Sequence, residues 1–180
     1  MPRSPRLDFR GARHHVMNRA ARRDTVFFRD EDCVRFLSVL EWLPRRFDLR
    51  IHGYALMPNH FHLMVEVPQG NLSNAMRHLS LVFTQAHNRA YGLDGSLFRG
   101  RFKNRLVQDD AYWRHLLAYL HLNPVRGHLV TQPEDCLWTS YRAYVGLADV
   151  PDWLSTDELL RLSGSGEAHR DHLRALLTNR

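Results

Sequence analysis

The chain predicts an α+β fold with an antiparallel sheet. Three observations carry this. Apolar residues switch between a period of two and a period near 3.6 in the order strand, helix, strand, strand, helix, strand, helix. Two of the strands adjoin across the turn Met57-Pro58-Asn59, for which a hairpin is the simplest reading. The 180 residues, 44% hydrophobic and 24% charged, suit one sizeable core. Together they match the split β-α-β unit of ferredoxin-like folds, an antiparallel sheet with helices on one face, with an added helix and a C-terminal extension.

Residues 13–19 read as the first strand, and Arg22, Arg23 and Asp24 form a polar turn. Asp30 opens a helix in which Val34, Phe36, Leu37, Val39, Leu40, Trp42 and Leu43 recur with near-helical spacing, and Pro44 lies near its end. Residues 49–57 alternate as a strand, and a second alternating run follows the turn. Leu72, Ala75, Met76, Leu79, Val82, Phe83 and Ala86 mark a helix over 71–91, opened by Asn71 or Ser73 and closed by Gly92. A fourth strand is expected over 102–108. Asp109 and Asp110 introduce the third helix, which Pro124 disrupts near its end. Residues 1–132 form the principal unit, and 133–180 form an extension packed on it, with Trp138 and Trp153 as anchors and Gly164 and Gly166 as a break.

Lys and Arg number 25 against 19 Asp and Glu, a formal charge of +6, and Lys103 is the only lysine. Such a balance suits a polyanion, nucleic acid first, and arginine offers a planar fork for phosphate and a stacking surface for bases; arginine-rich usage also follows from codon bias. Two cysteines, Cys33 and Cys136, are too few for a disulfide framework or a thiolate cluster. The charged N-terminus, without a following apolar stretch, and the lack of a membrane-length apolar run place the expected home in the cytoplasm.

In His60-Phe61-His62-Leu63-Met64-Val65-Glu66-Val67 a strand turns His60 and His62 to one side and Phe61, Leu63, Val65 and Val67 to the core. The histidine Cα atoms then lie about 7 Å apart, close enough for both rings to share a divalent cation. Glu66 has the same face but lies about 13 Å further on, a poor third ligand. Half-buried histidines at a sheet edge give the same pattern. On the third helix Trp113, Leu116, Leu117 and Leu120 form an apolar stripe, while Tyr112, His115, Tyr119 and Asn123 cluster elsewhere at about 100° per residue. Tyr119 and Asn123 are one turn apart. Attack of a tyrosine oxygen on a phosphodiester needs a cation to withdraw charge from the phosphate and help with the phenolic proton; phenols ionise only near pH ~10.

These residues resemble the REP-associated tyrosine transposases, relatives of the single-tyrosine HUH transposases of insertion sequences. The resemblance runs through His15-Val16-Met17-Asn18-Arg19, Tyr54-Ala55-Leu56-Met57-Pro58-Asn59-His60-Phe61-His62-Leu63 and Leu97-Phe98-Arg99-Gly100-Arg101-Phe102-Lys103. It continues through Tyr119-Leu120-His121-Leu122-Asn123-Pro124-Val125-Arg126, Trp138-Thr139-Ser140-Tyr141 and Pro151-Asp152-Trp153-Leu154. It implies that His60 and His62 are the catalytic metal-binding pair, that Tyr119 is the nucleophile, and that Asn123 stands where a third ligand can be; the mixed nitrogen and oxygen donors of these residues suit Mg²⁺ or Mn²⁺. It also implies single-stranded hairpins from palindromic repeats as the substrate and a 5'-phosphotyrosine intermediate. Ala20 and His128 depart from the family pattern, which has a glycine after the Asn-Arg pair and an Ala-Gly pair near 127–128.

The DNA path expected from charge is Arg19, Arg22 and Arg23 together with Arg99, Arg101, Lys103 and Arg105, the last four alternating along the fourth strand. Solvated edge charges give the same pattern. Phe98 and Phe102 suit base stacking or core packing. Tyr54, sharing a strand face with His52, is the competing nucleophile. A replication-initiator or relaxase-like nicking enzyme and a non-catalytic DNA-binding protein are the rival functions, and a monomer or homodimer is expected.

Overall fold

The computed structural model describes residues 8–21 and 24–178. Four strands, β1 (Ala12–Arg19), β2 (Arg50–Met57), β3 (His60–Val67) and β4 (Lys103–Val107), form one antiparallel sheet in the order β2-β3-β1-β4. Helices α1 (Asp30–Leu40) and α3 (Leu72–Tyr91) cover one face of it. The core there joins Val16, Phe61, Leu63, Val65 and Val67 of the central strands to Phe36 and Leu40 of α1 and to Met76, Leu79 and Phe83 of α3. The period-two alternation of β3 therefore leaves His60, His62 and Met64 on the opposite face.

That opposite face receives α4 (Asp110–Arg126), so helices cover both faces of the sheet rather than the one face expected. Asp109 caps α4, its carboxylate accepting from the Tyr112 N–H at 2.6 Å, which satisfies one donor of the first turn. Trp113, Leu116, Leu117 and Leu120 pack on Ala55, Met64 and Val107, so the apolar stripe read from the sequence is the one that seats α4 on the sheet. Gly53 permits the close seating: a Cβ there would stand 3.2 Å from Leu117 Cδ1 and 3.4 Å from Met64 Sδ.

The helix expected from Asp30 past Leu43 is two helices, α1 and α2 (Trp42–Phe47). Pro44 has no N–H for the Leu40 carbonyl and its ring crowds that carbonyl, so the first helix stops at Leu40. The N-cap of α1 is Arg29 rather than Asp30, and Asp32 in the first turn steadies the entry: its Oδ2 accepts from the N–H groups of Phe28 and Arg29 and from the Tyr91 hydroxyl.

Beyond α4 come a 3₁₀ turn at Pro133–Asp135 and helices α5 (Tyr141–Tyr144), α6 (Asp157–Ser163) and α7 (Gly166–Thr178). Trp138 donates from Nε1 to Asp30 Oδ1 at 3.0 Å, and Trp153 sits against Tyr54, ring centroids 5.7 Å apart. Leu173 of α7 is buried with Ala118 and Leu122 of α4. Gly164 ends α6 at φ +93, whereas Gly166 opens α7 against Tyr144, whose carbonyl oxygen would lie 2.4 Å from any Cβ. Only the first of the two glycines acts as a break.

Candidate active site

His60 and His62 project from β3 toward α4, and Tyr119 projects from α4 toward them. The His62 and Tyr119 rings meet edge to face at 5.7 Å, and those of His60 and His62 lie 5.0 Å apart. All three line a cleft of about 1120 Å³ whose other walls include Arg19, Arg99, Arg101 and Lys103. A strand reaches the cleft with its histidines and a helix nearly sixty residues later with its phenol. Sequence separation is no barrier, because the antiparallel register (Met17 opposite His62, Arg19 opposite His60) fixes one side and Gly53 the other.

The histidine nitrogens are sorted by their partners. His60 Nδ1 is 2.7 Å from Asn59 Oδ1, and an amide oxygen only accepts, so His60 carries its proton on Nδ1. His62 Nδ1 is 2.9 Å from His15 Nε2. In each ring Nε2 is the nitrogen left for a cation. Burial pushes the pKa of His60, His62 and His15 below the ordinary value of 6.5, with nearby cations adding to it: Arg19 for His60, and Arg105 for His15. All three are neutral at pH 7, the form in which imidazole binds metal. This donor set fits a divalent ion.

Asn123 is less engaged. Its Nδ2 donates to the Tyr119 carbonyl at 3.1 Å, which orients the amide oxygen away from its own helix turn, and the residue is not among those lining the cleft. His52, Glu66 and Glu158 bring ligand atoms within 4.8 Å of one another elsewhere on this face. There Glu66 Oε1 is taken by Arg50 at 3.1 Å and Glu158 Oε1 by Arg13, so the group is an ion-pair network between the sheet and α6.

The basic residues expected from charge are placed differently in detail. The fourth strand begins at Lys103, so Arg99 and Arg101 lie in the turn before it rather than on it; the Arg99 N–H donates to the Arg19 carbonyl at 2.8 Å and brings the two arginines to one rim. Arg105 leaves the cleft wall and sets its guanidinium 4.8 Å from the centre of the Tyr112 ring. Arg22 and Arg23 lie outside the described residues. Phe98 and Phe102 are 3% and 7% exposed and pack in the core, and Phe102 also edges the cleft.

Tyr54 does not share a face with His52. The register shifts between Ile51 and Gly53, and this bulge turns Tyr54 to the α1/α3 side with Leu63 while His52 meets Trp113 of α4. Burial raises the Tyr54 pKa to about 12, and its ring is sealed from the cleft. The sequence pattern assigns no role to His15, nor to Arg126, whose guanidinium lies 5.9 Å from the Tyr119 ring centre. His15 is legible there only as a residue two positions from Met17 on the same strand face; its partner comes from another strand.

A histidine, a hydrophobic residue and a histidine on a central strand, facing a tyrosine on the helix behind it, define the class of HUH proteins with one tyrosine. The chain belongs to the IS200-like transposase family, whose profile matches residues 9–122. It is similar to REP-associated tyrosine transposases of Haemophilus influenzae and Escherichia coli, 26% identical to each over 116 and 106 residues. These alignments cover 58% and 57% of this chain, and the chain spans 66% and 61% of those relatives, just under two thirds of their length. A solved structure of a REP-associated tyrosine transposase bound to a REP hairpin has the same fold, with a TM-score of 0.71 at 19% identity over 87% of this chain and 93% of that one.

Proposed function

We propose that this chain cleaves and rejoins single-stranded hairpin DNA through Tyr119, with Mg²⁺ or Mn²⁺ held by His60 and His62. The observation that carries the reading is the meeting of those three side chains in one arginine-rimmed cleft. The names of the two relatives and of the matching structure support a palindromic repeat hairpin as the substrate.

Arg19, Arg99, Arg101 and Lys103 bind and orient the backbone phosphates, and the fork of an arginine fixes a phosphate in two directions at once. Tyr119 Oη attacks the scissile phosphorus; the O–P bond to tyrosine forms as the bond to the 3' oxygen breaks. The phenol loses one proton and the leaving 3' oxygen gains one, which leaves a 5'-phosphotyrosine and a 3' hydroxyl. A second 3' hydroxyl reverses the step and rejoins the strand, with no external energy source. A divalent ion, when bound, supplies Lewis-acid stabilisation of the charge on the phosphate oxygens. His60 and His62 offer their Nε2 atoms for it, and Asn123 has an amide oxygen one helix turn from the nucleophile.

The test is an end-labelled single-stranded palindrome incubated with the protein, with and without Mg²⁺. The reading expects a cut that leaves a 3' hydroxyl and a protein-linked 5' fragment. Binding without any cut would leave a DNA-binding protein, and cutting with no protein-linked fragment would leave a metal nuclease.

A further inference from the structure

His60 and His62 are held by chemically different partners. Asn59 Oδ1 can only accept, so the His60 tautomer has one solution. His15 can accept or donate through Nε2, so the 2.9 Å contact with His62 Nδ1 has two. If His15 donates, His62 carries its own proton on Nε2 and presents an N–H to the cleft, where it cannot ligate. If His15 accepts, the proton of His62 stays on Nδ1 and a lone pair faces the cleft.

We propose that His15 is a positioning residue: its Nε2 accepts from His62 Nδ1–H and holds His62 in the tautomer and ring orientation that a divalent cation requires. The proposal rests on the metal reading above. Three observations support it. His15 is 6% exposed and its ring runs nearly parallel to that of His62, 5.1 Å away at 27°, so the contact is enclosed. The antiparallel register places His15 opposite Met64 and Met17 opposite His62, which fixes the diagonal pair His15 and His62 on one face of two hydrogen-bonded strands. The His15 ring also meets the edge of Tyr119 at 6.0 Å, so a shift of His15 moves both cleft partners. Partners of this kind typically contribute 10–100-fold to metal affinity.

The experiment is Mn²⁺ titration by calorimetry of the full chain without DNA, in wild type, His15→Leu and His15→Gln, alongside ¹⁵N NMR of the His62 ring in the metal-free wild type. His15→Leu should weaken Mn²⁺ binding by about 10–100-fold. His15→Gln, whose amide oxygen can accept from His62, should stay within a few-fold of wild type. The NMR should find the His62 proton on Nδ1. Equal Mn²⁺ affinity in His15→Leu and wild type would overturn the proposal, as would a Gln variant as weak as the Leu variant, which would mark a packing role. A His62 proton on Nε2 would also overturn it, and that measurement needs no variant to fold. Absence of Mn²⁺ uptake by wild type would remove the metal reading and this proposal with it, whereas normal uptake by both wild type and His15→Leu removes this proposal alone.

Discussion

Replacing His169 by leucine should loosen the back of the helix that carries Tyr119. On that side His121 of α4 is fully enclosed, with Nδ1 2.9 Å from His169 Nε2 and Nε2 2.8 Å from Ser140 Oγ. Ser140 in turn accepts from the Tyr54 N–H at 3.1 Å, so the network ties α4 and α7 to β2. Leucine leaves His121 Nδ1 buried and unpaired, which costs about 1–3 kcal/mol. Acid adds a second signature. Burial lowers the His121 pKa well below 6.5 and that of His169 to about 4. Between about pH 6.5 and about pH 4 the unfolded chain therefore binds more protons than the folded one. Stability is full above pH 6.5 and falls as the pH drops below it, by up to about 1.4 kcal/mol per pH unit for each such histidine. The His169→Leu variant should thus be less stable at pH 7.5 and show a shallower loss on acidification by up to that slope. Urea unfolding of both proteins at half-unit steps from pH 7.5 to pH 5 measures the two quantities. Equal stability at pH 7.5 together with parallel pH profiles would refute the reasoning.

Three further outcomes can be checked. Excess EDTA, or the paired substitution His60→Ala and His62→Ala, should abolish cleavage of a labelled palindrome while hairpin binding persists in a gel shift; full cutting in either case removes the metal assignment. Arg99→Ala with Arg101→Ala should flatten the dependence of log affinity for single-stranded DNA on log salt by about 0.7 for each phosphate no longer neutralised, about 1.4 for two, measured by fluorescence anisotropy across a salt series. His128 occupies φ +55, a region that favours glycine, so His128→Gly should raise stability by about 1 kcal/mol in thermal or urea unfolding; no gain would mean that the local turn carries no strain.

The parts of the fold that depend on local periodicity were legible. Alternation in His60-Phe61-His62-Leu63 correctly assigns which residues of the strand face the α1/α3 core, and the apolar stripe Trp113, Leu116, Leu117 and Leu120 those of α4 that pack on the sheet. What escaped depends on single irregularities or on distant partners. The bulge between Ile51 and Gly53 inserts one residue into an otherwise alternating strand, so His52 and Tyr54 face opposite ways although their spacing says otherwise. The short β4 leaves Arg99 and Arg101 in a turn, because the pairing of β1 with β4 ends at Met17 and Lys103, which no local pattern reveals. The contact of His15 with His62 spans forty-seven positions and exists only once β1 and β3 are in register. The departure at His128 was visible as a residue type, but its backbone cost was not.

In the proposed reaction Tyr119 is the nucleophile. Incubation of the wild-type protein with a labelled single-stranded hairpin and Mg²⁺, followed by proteolysis and mapping of the cross-linked peptide, tests it most directly, with Tyr119→Phe as the partner experiment. The phosphate should sit on the α4 peptide containing Tyr119, and Tyr119→Phe should lose both cutting and adduct yet keep hairpin binding, since only the phenolic oxygen is removed. An adduct on any other residue, or unimpaired cutting by Tyr119→Phe, would take the nucleophile's role from Tyr119.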